Sequence, residues 1–210
     1  MGIDQKPFFS VVIATYNAAT TICKSIESVL SQNERAQILI MDGLSSDDTV
    51  VLARRYELQG VNVHVEKDNG VYDAWNKGLD HAQGEWIIFL GADDYYNDPN
   101  ALGALRKSLD SVHKQFKIAY GKVEMVNDSG AVISIDNKPW GECSGTLRKN
   151  MPYTHTGSAH HRSIFFDKRF DPEFKIAGDY NFLYSFLLKE APLFVPEYVV
   201  QMGGGDCPLT

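Results

Sequence analysis

The sequence predicts an α/β protein: a mostly parallel central sheet flanked by helices, with a small antiparallel and irregular portion in its second half. Three observations predict the sheet. Four apolar runs of strand length occur in the first hundred residues, separated by segments of helical periodicity. The runs are near-continuous rather than alternating, as strands covered on both faces require. The intervening segments are long enough for right-handed crossovers between parallel strands.

FFSVVIA (8–14) is a β-branched first strand. The polar stretch Thr15 to Thr20 is suited to cap the helix in TICKSIESVLSQ, where Ile22, Ile26, Val29 and Leu30 fall at helical spacing. QILIMD (37–42) is the second strand, ended by the turn dipeptide Asp42-Gly43. Ser46 and Asp47 offer N-cap chemistry to a helix in SSDDTVVLARRYELQ. VNVHVE (61–66) is the third strand, GVYDAWNKGLDHAQG a helix ending near Gly84, and EWIIFL (85–90) the fourth strand. In the second half, 98–112 reads as a helix, and KIAYGKVEMV and AVISID flank the turn NDSG (127–130) as a hairpin. Residues 136–162 read as irregular, 179–191 as the last helix, and LFVPEYVVQMGGG as strand-like. The expectation is one domain over 1–210, with a nucleotide-type half at about 7–100 and a variable half at about 101–210.

Composition narrows the function. The 210 residues, 44% hydrophobic, suffice for one sizeable core. A net charge of −7 makes nucleic acid a poor partner, because duplex binding draws on clustered Lys and Arg. No apolar run is long enough to span a bilayer, and MGIDQKPFF lacks an apolar signal region behind a basic one. The three scattered cysteines, Cys23, Cys143 and Cys207, fit neither a disulfide framework nor a zinc site and suit a reducing compartment. A cytoplasmic location is expected. Arg148, Lys149, Arg162, Lys168 and Arg169 form a mild basic concentration that would suit a lipid-phosphate acceptor or the inner membrane face, although solvation is its ordinary use.

Ligands of open parallel sheets bind outside the carboxyl ends of the strands. Thr15-Tyr16-Asn17, Asp42-Gly43, Lys67-Asp68-Asn69-Gly70 and Asp93-Asp94 each follow a strand, so parallel strands bring all four to one edge. Asp98, just before Pro99, is better placed to start the next helix, which frees Asp93 and Asp94 from that duty. Adjacent carboxylates repel unless a cation offsets them, and Mg²⁺ or Mn²⁺ takes oxygen ligands and bridges to phosphates. No G-x-x-x-x-G-K-[ST] and no G-x-G-x-x-G at the first helix occurs, so neither a P-loop nor a dinucleotide fold is indicated.

SVVIATYNA, MDGLSSDDT and EKDNGVYDAWNKGLDHAQGEWIIFLGADD, in this order and spacing, resemble the nucleotide-sugar domain of family 2 glycosyltransferases, which implies a GT-A-type nucleotide-sugar-binding fold. The resemblance is strong over about 7–100 and weaker through HTGSAHHRSIF (155–165) and AGDYNF (177–182). It implies a nucleotide-sugar donor, UDP-linked foremost, and inverting transfer of one sugar to a glycan or lipid-linked acceptor. Ala14, Thr15, Tyr16 and Asn17 would form the loop at the base, Asp42 would hydrogen-bond the base, and Asp68 and Asn76 would line the ribose and diphosphate region. Asp94 would ligate Mn²⁺ or Mg²⁺, with Asp93 on ribose or metal-bound water. Asp179 would be the catalytic base, with a plain helix N-cap as its competing use. His155 and Trp140 would lie towards the acceptor or diphosphate. A three-histidine zinc site is not expected, since adjacent His160 and His161 point apart in an extended chain. The absence of Gln-x-x-Arg-Trp argues against polymer synthesis. Two other readings stand beside this one: a degenerate domain that only binds nucleotide sugar or glycan, and a sugar-nucleotide nucleotidyltransferase, which the lack of Gly, Arg and Lys in ATYNAATT disfavours.

Overall fold

The computed structural model describes residues 6–112, 115–127 and 129–203. The first five residues, Asp128 of the expected turn, Cys207 and the rest of 204–210 lie outside it. Strands β1 (Phe9–Thr15), β2 (Ala36–Asp42), β3 (Val61–Val65) and β4 (Trp86–Gly91) alternate with helices α1 (Ile22–Leu30), α2 (Thr49–Arg54) and α3 (Val71–His81). All four strands are parallel, in the order β3-β2-β1-β4. The second half adds α4 (Ala101–Ser111), β5 (Ile118–Val126), β6 (Val132–Asp136), α5 (Trp140–Cys143), β7 (Ala159–His161), α6 (Gly178–Leu187) and β8 (Leu193–Gly203). The sheet continues β4-β7-β5-β6, with β8 parallel to β5.

The continuous apolar strands are explained by two cores. Val11, Ile13, Ile38 and Ile40 pack beneath Ile22, Ile26 and Val29 of α1 and Leu102, Leu105 and Leu109 of α4. Val12, Leu39, Met41 and Phe89 face the other way, onto Tyr72 and Ala74 of α3 and Phe182, Leu183 and Leu187 of α6. Along β1, β2 and β4, apolar residues pointing either way are therefore covered by one core or the other.

Two boundaries move. The helix expected from residue 98 begins at Ala101, because Asp98 Oδ1 accepts the Asn100 N–H at 2.8 Å and holds the preceding turn. Within 136–162, expected to be irregular, β7 enters the sheet between β4 and β5, antiparallel to both. Its three residues stitch the two halves into one eight-stranded sheet. β6 closes the far edge with all five residues exposed. Among the described residues no helix is long and apolar enough to cross a membrane.

β8 carries a bulge. Its register on β5 jumps from Gly121↔Val195 to Lys122↔Val199, looping out Pro196 to Tyr198. A Cβ on Gly121 would overlap the Tyr198 carbonyl oxygen, so the bulge requires glycine there. The bulged Tyr198 is fully buried; its hydroxyl donates to Gly157 O at 2.6 Å and accepts from Tyr96 at 2.7 Å. Gly121→Ala should therefore cost about 1–3 kcal/mol in urea unfolding. Gly103→Ala, in the first turns of α4 with open space around it, should gain roughly 0.5–1 kcal/mol in the same measurement.

Candidate active site

A cleft of about 530 Å³ opens at the C-terminal ends of the parallel strands, between β1, β2, the segment after β3 and the N-terminus of α3. Ala14, Thr15, Tyr16 and Asp68 line it, as the sequence leads one to expect, together with Gly43, Leu44, Lys67, Val71 and Ala74. Tyr16 is 67% exposed and Leu44 51%, so two apolar side chains offer their faces to a ligand. Asp68 is held by the Gly70 N–H at 2.9 Å, and its Oδ2 lies so close to Gly43 that a Cβ there would collide with it.

The other expected donor-site residues do not line the cleft. Asp42 is buried; it accepts from Thr15 Oγ1 (2.9 Å), Ser45 Oγ (2.6 Å) and the Ser45 N–H (2.9 Å). Its carboxylate thus ties the end of β1 to the loop after β2. Asn17, at φ 52°, gives its N–H to Ser45 Oγ (2.8 Å) and takes the Ser46 N–H on Oδ1 (2.9 Å), clamping the loops after β1 and β2 together. Asn76, expected beside ribose and diphosphate, spends its amide on both backbone groups of Phe170, at 2.8 and 3.0 Å. The staple fixes the side chain against Phe170 and uses one of its two amide N–H groups, leaving the second to a further acceptor.

At the end of β4 the chain turns through Asp93 and Asp94. Asp94 is only 3% exposed. Its Oδ2 accepts from the Gly91 N–H at 3.1 Å and from the Thr156 hydroxyl. Its Oδ1 is buried without a hydrogen-bond partner among the described residues, although the Gly203 N–H lends the carboxylate some support. Burial pushes the carboxyl up to about 6, against the Thr156 bond and with help from the Asp93 charge. An orphaned, desolvated carboxylate oxygen suits a proton or a hard cation. Among the described residues no three His, Cys, Asp or Glu side chains gather as a metal site. A Mg²⁺ or Mn²⁺ at this turn would have to take most of its ligands from water and substrate phosphate.

Asp179 does not cap its helix. The N-cap of α6 is Ala177, in the left-handed region at φ 59°, and no side chain makes a cap bond. Asp179 sits inside the first turn, half-buried, and its Oδ1 accepts from Tyr72 Oη at 3.2 Å. Tyr72 and Thr156 are contacts that sequence reasoning did not single out.

His155 is buried, its ring 5.2 Å from Trp75 and 5.0 Å from His160, and its Nε2 has no hydrogen-bond partner among the described residues. The expectation set it towards acceptor or diphosphate; here its ring lies among those of Trp75, Phe89 and His160. Trp140 starts α5 and leans, half-buried, on the α3–α6 core. His161 faces away from His160, towards Glu85 at 3.6 Å, so the three histidines do not converge. Of the five basic residues noted above, three are engaged internally: Arg162 with the Gln83 carbonyl, Lys168 with the Phe182 carbonyl, and Arg169 with Asp80.

The same α/β fold, a central sheet flanked by helices, occurs in solved GT-A glycosyltransferases. TarS of S. aureus, solved with UDP-GlcNAc, matches with a TM-score of 0.73 over 94% of this chain and 59% of that one, at 19% identity. A mannosyltransferase of Pyrobaculum calidifontis, solved with GDP-Man and Mn²⁺, matches with a TM-score of 0.72 over 98% and 59%, at 18% identity. Residues 10–173 match the profile of glycosyl transferase family 2, and the chain belongs to that family. A PGL/p-HBAD biosynthesis glycosyltransferase of Mycobacterium bovis is 32% identical over 123 residues, 57% of this chain and 48% of the relative. The chain thus spans about half the length of the curated relatives it matches.

His160, on β7 behind the site, is fully buried, and burial followed by the neighbouring His155 holds its imidazole well below 6.5. It is neutral in the fold, whereas the unfolded chain protonates it below its ordinary 6.5. The stability it permits is complete above that pH and is lost as the pH falls. His160→Leu should remove up to about 1.4 kcal/mol per pH unit from the slope of stability on the acid side, read by urea unfolding at stepped pH.

Proposed function

We propose that this protein is an inverting transferase that moves one sugar from a nucleotide diphosphate sugar, UDP-linked foremost, to a hydroxyl of a glycan or lipid-linked acceptor during polysaccharide or glycoconjugate synthesis. The observation that supports the reading is a cleft with Asp68 at the carboxyl ends of the strands of a family 2 sheet, with Asp93-Asp94 following β4 and Asp179 bonded to α3 through Tyr72. The printed ligands of the two structural relatives, UDP-GlcNAc and GDP-Man with Mn²⁺, support a nucleotide-sugar donor.

In this reading Tyr16 and Leu44 flank the base and Asp68 accepts from the nucleoside. Asp42 acts indirectly, by holding Thr15 and the loop at Ser45 in place. Asp94 and Asp93 would hold Mn²⁺ or Mg²⁺, which when bound supplies Lewis-acid stabilisation of the leaving diphosphate. The acceptor oxygen attacks the anomeric carbon from the face opposite the diphosphate. As that C–O bond forms, the bond to the diphosphate oxygen breaks and its electron pair leaves with the nucleotide. Asp179 takes the acceptor's hydroxyl proton. Free of any cap bond, its carboxylate keeps Oδ2 for this purpose.

A thermal-shift screen of nucleotide sugars with Mn²⁺ should give a clear rise for at least one donor; no rise with any would overturn the reading in favour of a different ligand. Asp94→Ala should abolish the Mn²⁺ dependence of UDP binding in calorimetry, and unchanged dependence would remove the metal assignment. Asp179→Asn should keep donor affinity within about twofold while transfer falls by about 10²–10⁴. Retained turnover would place the base elsewhere.

A further inference from the structure

We propose that Tyr72 is the positioning residue for the Asp179 carboxylate, and that through it one turn of α3 serves both the donor cleft and the base. The inference rests on the reading of Asp179 as base. Val71 and Ala74 of this turn line the cleft. Tyr72, between them, is 6% exposed, stacks on Phe170 at 5.9 Å and stands edge-on to Trp75 at 5.4 Å. Its ring is therefore fixed by packing, and its hydroxyl emerges at the start of α6.

That hydroxyl makes two bonds whose directions are determined by chemistry. Its lone pair accepts the Gly178 N–H at 2.9 Å, and its proton is given to Asp179 Oδ1 at 3.2 Å. One of the N–H groups that a helix start leaves without an intrahelical partner, that of Gly178, is thus satisfied by a phenol from another helix. The local chain is shaped for the approach. A Cβ on Gly178 would stand 2.6 Å from Tyr72 Cε2, and Ala177 adopts φ 59° to bring the turn round. Burial, then the Asp179 charge, raises the phenol above its ordinary 10, so it remains a donor through the neutral range. A carboxylate with one oxygen tied to a rigid donor presents the other in one orientation, which proton transfer requires.

Tyr72→Phe keeps the ring and removes the bond. In ¹³C-carboxyl NMR of aspartate-labelled protein, the Asp179 resonance, assigned by its loss in Asp179→Asn, should move in Tyr72→Phe. The melting temperature should stay within a few degrees and UDP affinity with Mn²⁺ within about twofold, with UDP-GlcNAc and UDP-glucose tested as turnover probes. Release of UDP should fall at least about tenfold in kcat with little change in KM, and Tyr72→Phe should add less than about twofold in the Asp179→Asn background. An unmoved Asp179 resonance, or an equal loss in the Asp179→Asn background, would overturn the proposal. If Asp179→Asn itself keeps turnover, the base assignment fails, and the resonance still reports whether Tyr72 holds that carboxylate.

Discussion

The parallel register of β1 against both β2 and β4 is the constraint on which the rest depends. It sets Thr15 level with Asp42 and Ala14 level with Gly91, so that each strand releases its chain at the same height. Polar residues that would be ordinary turn punctuation one at a time become a surface when their strands end together. The arrangement concentrates acidic groups in a chain whose net charge is already −7, and like charges at close quarters raise the free energy of the folded state. The protein answers each acid locally: Asp42 with hydroxyls and an N–H, Asp68 with the Gly70 N–H, Asp94 with Thr156 and Gly91.

The second half works as a brace for that edge. Tyr95 and Gln201 exchange two backbone hydrogen bonds of 2.9 and 2.8 Å, which fasten the turn after Asp94 to β8. One residue on, Tyr96 meets the bulged Tyr198, and Tyr198 reaches Gly157 beside Thr156. Three segments distant in sequence therefore fix one buried carboxylate. Such a site is held by long-range contacts that only the completed fold supplies.

This division also explains what was legible beforehand. β1, β2 and β4 announced themselves because burial on both faces leaves an unbroken apolar run, whereas β3, at the edge, showed as a β-branched alternation. β7 stayed hidden because three residues, Ala159 to His161, are too few to show a period, and the flanking Gly157 and Arg162 look like loop. The edge of the site was readable from strand ends, but the direction of each side chain was not. Asp42 and Asn76 turned inwards because donors at Thr15, Ser45 and Phe170 lay within reach. Tyr72 and Thr156 meet their aspartates across 107 and 62 residues, and a single sequence carries no mark of such a meeting.

Leu44 sits at φ 66°, where a branched side chain is held at a cost of about 1–2 kcal/mol. The cost is offset by its neighbours: Ser45 and Ser46 are pinned to Asn17, and Thr49 Oγ1 receives the Ala18 N–H at 2.7 Å. This rim of the cleft has given up its conformational freedom during folding. A ligand arriving there meets a finished wall and spends little of its affinity on ordering loops, so discrimination at this end of the cleft is a matter of shape and contact.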